Sequence, residues 1–133
     1  MIVTPYAAIL ALIFVYLTFN VGLHRVIHKV SLGSQNDDIL LRKVRAQGNF
    51  VETVSVALIL ITIAELSGLN NDMVSLAAVS LVLGRMFHAF SLLCCEPREM
   101  LSIKGFPTFR VLGMLLTLLP ILGVSIFLLV SGT

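Results

Sequence analysis

Residues 45–64 read RAQGNFVETVSVALILITIA. The first eight positions hold a cation, Arg45, two amides, Gln47 and Asn49, and an anion, Glu52. From Val54 to Ala64 there is no charge at all. Such a run is too apolar for the surface of a soluble domain, yet its polar groups stand at its mouth, where desolvation costs most. Positions 45, 49 and 52 are spaced i, i+4, i+7, so at 3.6 residues per turn they share one helix face. The stretch reads as a membrane-spanning helix with a polar stripe at one end.

The rest of the chain agrees. Of its 133 residues, 58% are hydrophobic and only 12% charged, with a mean hydropathy of +1.04. An ordinary soluble domain is about a quarter charged, and a soluble core of this length could not cover so much apolar surface. The net charge of +2 and the lack of any Lys/Arg run interleaved with aromatics exclude a nucleic-acid partner. Cys94 and Cys95 are adjacent, which disfavours a disulfide between them, and they read as reduced thiols at a helix end. His24, His28 and His88 come with no ligand-spaced carboxylate or thiol, so no metal is expected.

Four spans follow, at 3–25, 39–66, 72–95 and 107–130, each near the ~20 apolar residues that cross a bilayer. Pro5 suits the first turn of the first. The turns are Gly33-Ser34-Gln35-Asn36-Asp37, Ser67-Gly68-Leu69-Asn70-Asn71 and Glu96-Pro97-Arg98. Residues 1–23 lack the basic start and cleavage site of a secretory signal. The expected fold is an all-α integral membrane protein, a single domain over residues 1–133 formed by an antiparallel four-helix bundle. Ala8, Gly84 and Gly113 are the small residues expected to permit close helix approach.

Basic residues set the direction. Arg25, Lys29, Arg42, Lys43 and Arg45 flank the first connection, and Arg98, Lys104 and Arg110 the third. The second connection has none. The positive-inside rule then puts connections one and three in the cytoplasm and both termini outside it, in the inner membrane if the host is bacterial.

With that topology the polar groups of all four spans meet at the cytoplasmic boundary: Arg25, Arg45, Asn49, Glu52, Arg85, His88 and Arg110. A charge within a span costs roughly 2.5–3.5 kcal/mol on insertion scales unless it is paired or hydrated. A Glu52–Arg85 pair that merely pins helices would explain two of them. Four arginines around one glutamate leave surplus positive charge, which suits a small ligand with carboxylates of its own.

Four spans in this length, with Arg45-Ala46-Gln47-x-Asn49-x-x-Glu52 opening the second and Gly84-Arg85-x-x-His88 on the third, resemble the MAPEG family. These are membrane-associated proteins in eicosanoid and glutathione metabolism, microsomal glutathione transferases among them. The resemblance implies a homotrimer within membrane lipid that binds glutathione between subunits near the cytosolic boundary and presents its thiolate to a lipophilic electrophile. It implies glutathione contacts at Arg45, Asn49, Glu52, Arg85, His88 and Arg110, a contact by Gln47 from the adjacent subunit, and a thiolate-stabilising, catalytic role for Arg25. The chain departs from the pattern at Thr53 and Leu92, where relatives place tyrosines. Two other readings remain: a non-catalytic trimer that binds lipid or another thiol, and a small four-span transporter, for which the first span lacks the usual acid.

Overall fold

The computed structural model describes residues 1–95 and 108–131. Four helices run in order: α1 (Val3–His28), α2 (Asp38–Leu66), α3 (Asn71–Phe90) and α4 (Thr108–Ser131), with a π-helical turn at Ser91–Cys95. No strand occurs among the described residues. All four helices are long and apolar enough to cross a membrane. Four helices are therefore present where spans were expected, with two differences at their ends. The first continues past Arg25 to His28, and the third ends in a widened π turn instead of a regular helix. The expected Glu96-Pro97-Arg98 turn, Lys104 and Pro107 lie outside the described residues.

Local chemistry sets the helix ends. Lys29 adopts a left-handed conformation (φ 55°) and closes α1, while Val30 N–H bonds back to Arg25 O at 3.0 Å, the six-to-one bond of a Schellman ending. Asp37 caps α2, its Oδ1 accepting from Ile39 N at 2.9 Å and Leu40 N at 3.0 Å. Its Oδ2 lies 2.7 Å from His24 Nε2. The His24 hydrogen bond, followed by that of Leu40 N–H, lowers the Asp37 carboxyl to about 2. A lowered carboxyl stabilises the fold above the ordinary carboxylate range, and its contribution is lost as pH falls toward 2. Asn70 caps α3 through Asp72 N at 2.8 Å.

At the opposite end of α1, Glu65 near the end of α2 accepts from the backbone N–H of Ile2 and, at 3.1 Å, of Val3. One carboxylate thus satisfies two of the donors that a helix start leaves unpaired, and it sits at the positive end of the helix dipole.

α3 is the central helix. In its most apolar stretch 56% of residues are buried, against 17% in α1 and in α4, so the outer two present apolar faces to lipid. α1 packs on α2 and α3, and α4 on α2 and α3, while among the described residues the backbones of α1 and α4 do not come close together. The closest approach joins α3 to α4. A Cβ at Gly84 would lie 2.7 Å from Thr117 Oγ1 and 2.8 Å from Gly113 O, and one at Gly113 would lie 2.6 Å from Gly84 O and 2.7 Å from His88 N. Gly84 and Gly113 therefore serve as expected, whereas Ala8 is exposed. Higher on the same interface, Pro120 removes the N–H that Leu116 O would otherwise accept from. Ser80 Oγ on α3 donates to that carbonyl at 2.7 Å.

Gly84→Ala should push α3 and α4 apart and cost about 1–3 kcal/mol, the usual range for overpacking. Gly123→Ala, whose added carbon meets nothing within 4 Å, supplies the control. Thermal unfolding in detergent reads the difference; equal midpoints for the two variants would contradict the close contact.

Candidate functional site

One end of the molecule, where α1 passes to α2, carries a polar cleft of about 630 Å³, within the size range of small-ligand pockets. Its long wall is one face of α2: Arg42, Arg45, Gly48, Asn49 and Glu52. These are the positions that helical periodicity places together, and Gly48 leaves the wall open between Arg45 and Glu52. α3 contributes His88, the π turn contributes Leu92, and α4 contributes Arg110. The Gly84–Gly113 contact accounts for the last of these, because Arg110 lies one turn before Gly113 and Gly113 rests against His88 N.

Behind the wall is a buried cation. Arg85 is 1% exposed, and its Nη2 donates to Asn49 Oδ1 at 2.8 Å. Its guanidinium carbon is 5.9 Å from the centre of the Phe50 ring. No ion pair joins Arg85 to Glu52 among the described residues; Glu52 is exposed on the cleft wall instead. The helix-pinning pair is thus not formed, because Asn49, one turn nearer the helix start, takes the guanidinium first. A guanidinium only donates, so the Asn49 amide must turn its oxygen toward Arg85, which directs its NH₂ away from the guanidinium. Two buried nitrogens, Arg85 Nε and His88 Nδ1, have no hydrogen-bond partner among the described residues.

Of the residues read from sequence, Arg45, Asn49, Glu52, His88 and Arg110 come together on the cleft. Arg85 supports it from behind. Gln47 does not line it: its Nε2 donates to Thr18 Oγ1 on α1 at 2.9 Å. Arg25 does not line it either, and its Nη1 donates to Gly33 O in the first connection at 3.0 Å. Sequence reasoning passed over Gly48, although a glycine between two motif residues on one helix face is a legible sign of an open wall. It also passed over Asp37 as a neighbour of His24, for which no local spacing gives a sign. A second cleft, of about 450 Å³ between α3 and α4, is lined by Leu69, Met73, Leu76 and Pro120 among others and is almost wholly apolar.

The MAPEG family model matches residues 3–130 of the chain. Among characterised sequences, the inner membrane protein YecN of Escherichia coli K12 is 29% identical over 90 residues, which cover 68% of this chain and 69% of that protein. YecN from Escherichia coli O6:H1 matches to the same extent. No solved structure matches.

The Arg85–Asn49 contact makes a specific energetic prediction. Asn49→Leu alone should destabilise the protein, because it leaves a buried guanidinium N–H without its acceptor, at a cost of about 1–3 kcal/mol or more for a charged group. Adding Arg85→Met should recover part of that loss. A double-mutant cycle on thermal unfolding measures the coupling, and simple additivity of the two changes would show that the contact carries none.

Proposed function

Because this chain belongs to the MAPEG family, an integral multi-pass membrane protein with four spanning helices, we propose that it binds glutathione in the polar cleft and directs its thiolate at a lipophilic electrophile. The observation that carries this reading is the cleft's charge pattern. Among the described residues, Arg42, Arg45 and Arg110 line the cavity with one carboxylate, Glu52. Glutathione has two carboxylates and one ammonium, which two of these arginines and Glu52 can pair. Glu52 takes the ammonium, and Arg45 and Arg110 hold carboxylates through charge-assisted hydrogen bonds. Asn49, with its oxygen turned toward Arg85, donates through its NH₂.

The chemistry requires a thiolate. A free thiol with a pKa of about 8.5 is mostly protonated near neutrality, and a neighbouring cation lowers that value. Arg25 is assigned this role without acting as a base, since guanidinium does not titrate in the range. Within one chain Arg25 faces the first connection, so the assignment requires assembly as a homotrimer, in which the Arg25 of one subunit approaches the cleft of the next. Gln47, turned toward α1, is assigned to the neighbouring cleft on the same ground. Orientation follows the basic loops, with this end cytoplasmic and both termini opposite. The electrophile enters from the lipid, and conjugation and peroxide reduction both use this arrangement.

One observation favours a second reading, a trimer that binds a thiol or lipid without turnover. The Thr53 hydroxyl donates to its own helix, at Asn49 O, 2.7 Å away, and Leu92 gives the cleft only hydrocarbon. Neither replaces a tyrosine hydroxyl.

Calorimetry with glutathione tests the site. Glu52→Gln and Arg45→Ala should each weaken binding by about 2–5 kcal/mol, the usual loss when one partner of a desolvated charge pair is truncated. Gly48→Leu should block the cleft while leaving the helix intact, since an added carbon there meets nothing within 4 Å. Unchanged affinity in all three variants would remove glutathione from this cleft. The enzyme reading has its own test. Arg25→Ala should lower kcat with little change in affinity, as for an interaction made mainly in the reactive state, and the bound thiol should titrate nearer about 8.5. Binding with no turnover on any electrophile would favour the second reading.

A further inference from the structure

A separate cluster lies outside the cleft, where α1 turns into α2. His24 and His28 are one helical turn apart, with rings stacked at a centroid distance of 4.2 Å. The connection then folds back on itself. After the left-handed Lys29, positive φ values at Gly33 (66°), Gln35 (47°) and Asn36 (63°) turn the chain so that Asp37 returns to α1. Asp37 Oδ2 stops 2.7 Å from His24 Nε2. One ligand atom from each of His24, His28 and Asp37 lies within 4.8 Å of the others.

We propose that His24, His28 and Asp37 form a binding site for a divalent first-row transition-metal ion of the zinc or nickel class. Two imidazoles and one carboxylate are a donor set suited to such ions. The cluster's surroundings favour a cation in two further ways. It sits on the last turn of α1, where the helix dipole is negative. The two oxygens of Asp37 also have separate duties: Oδ1 caps α2 through Ile39 and Leu40, while Oδ2 faces the histidines. Coordination through Oδ2 therefore leaves the cap in place. His24 forms the buried floor and His28 the exposed mouth, which leaves water access for the remaining coordination positions.

The cluster contains its own competitor. Lys43 Nζ lies 3.2 Å from His24 Nδ1. An ammonium only donates, so Nδ1 accepts and Nε2–H donates to Asp37. A metal on Nε2 requires the imidazole proton to move to Nδ1 and the Lys43 head to swing away. The ion and Lys43 therefore exclude each other at His24. Bound metal would join the end of α1 to the cap of α2, at the connection that also receives the Arg25 side chain. None of this depends on glutathione, and no cluster residue lines the polar cleft.

The test uses tag-free protein in detergent with Cys94→Ser and Cys95→Ser, so that thiols supply no ligands, and Co²⁺ as a spectroscopic probe. One Co²⁺ per chain should give visible d–d bands that Zn²⁺ displaces. His28→Ala, at an exposed position, and Asp37→Asn, which keeps a capping oxygen, should each weaken binding at least ~10-fold, since even outer-shell changes at metal sites cost about 10–100-fold. Lys43→Met should tighten it. Zn²⁺ should raise the unfolding midpoint of the parent but not of His28→Ala. The proposal fails if the parent binds no Co²⁺ at near-millimolar metal, if His28→Ala and Asp37→Asn bind as the parent does, or if Lys43→Met leaves affinity unchanged.

Discussion

The contact on which the rest of the site depends is backbone against backbone, at Gly84 and Gly113. With no side chain on either residue, α3 and α4 approach until a single added carbon would meet a carbonyl oxygen at under 3 Å. In lipid the hydrophobic effect does not drive two apolar helices together, so close packing and polar contacts must do so. This contact is formed within one turn of His88 and Arg110. It therefore also determines that a cation of α4 faces the polar stripe of α2. A wider separation would keep both helices in the membrane and open the cleft.

The same solvent argument accounts for the polar groups elsewhere. Where the interior offers no water, a backbone group or side chain left without a partner costs several kcal/mol, and the chain supplies partners across helices. Ser80 serves the carbonyl that Pro120 frees. Glu65 serves the start of α1. Asn49 serves Arg85. The first two lie away from the cleft and hold helices in register. The third shapes the cleft itself, because it orients an amide on the cleft wall.

Polarity is concentrated at one end of the molecule but divided into two neighbouring assemblies. In the cleft, the described residues set arginines around one carboxylate, Glu52, a balance suited to an anionic ligand. At the corner of α1 and α2, imidazoles meet a carboxylate, a balance suited to a cation. Arg25 belongs to neither within a single chain; it ties α1 to the first connection. The part in catalysis proposed for it therefore rests on contacts between subunits, and so does the glutathione contact proposed for Gln47.

Much of this was legible in the sequence, for reasons that are local. Apolar length determines a span, and the 3.6-residue period places Arg45, Asn49 and Glu52 on one face whatever the helix packs against. The family motif is a local pattern as well, and the match of the whole family model over residues 3–130 agrees with it. What only the tertiary structure decided depends on how helices rotate and how connections return. Arg85, expected among the glutathione contacts, is buried and held by Asn49, because side-chain reach across α2 and α3 depends on their separation and rotation. Asp37 reaches His24 only through a connection with three positive-φ residues after Lys29, a geometry that no spacing rule in the sequence encodes.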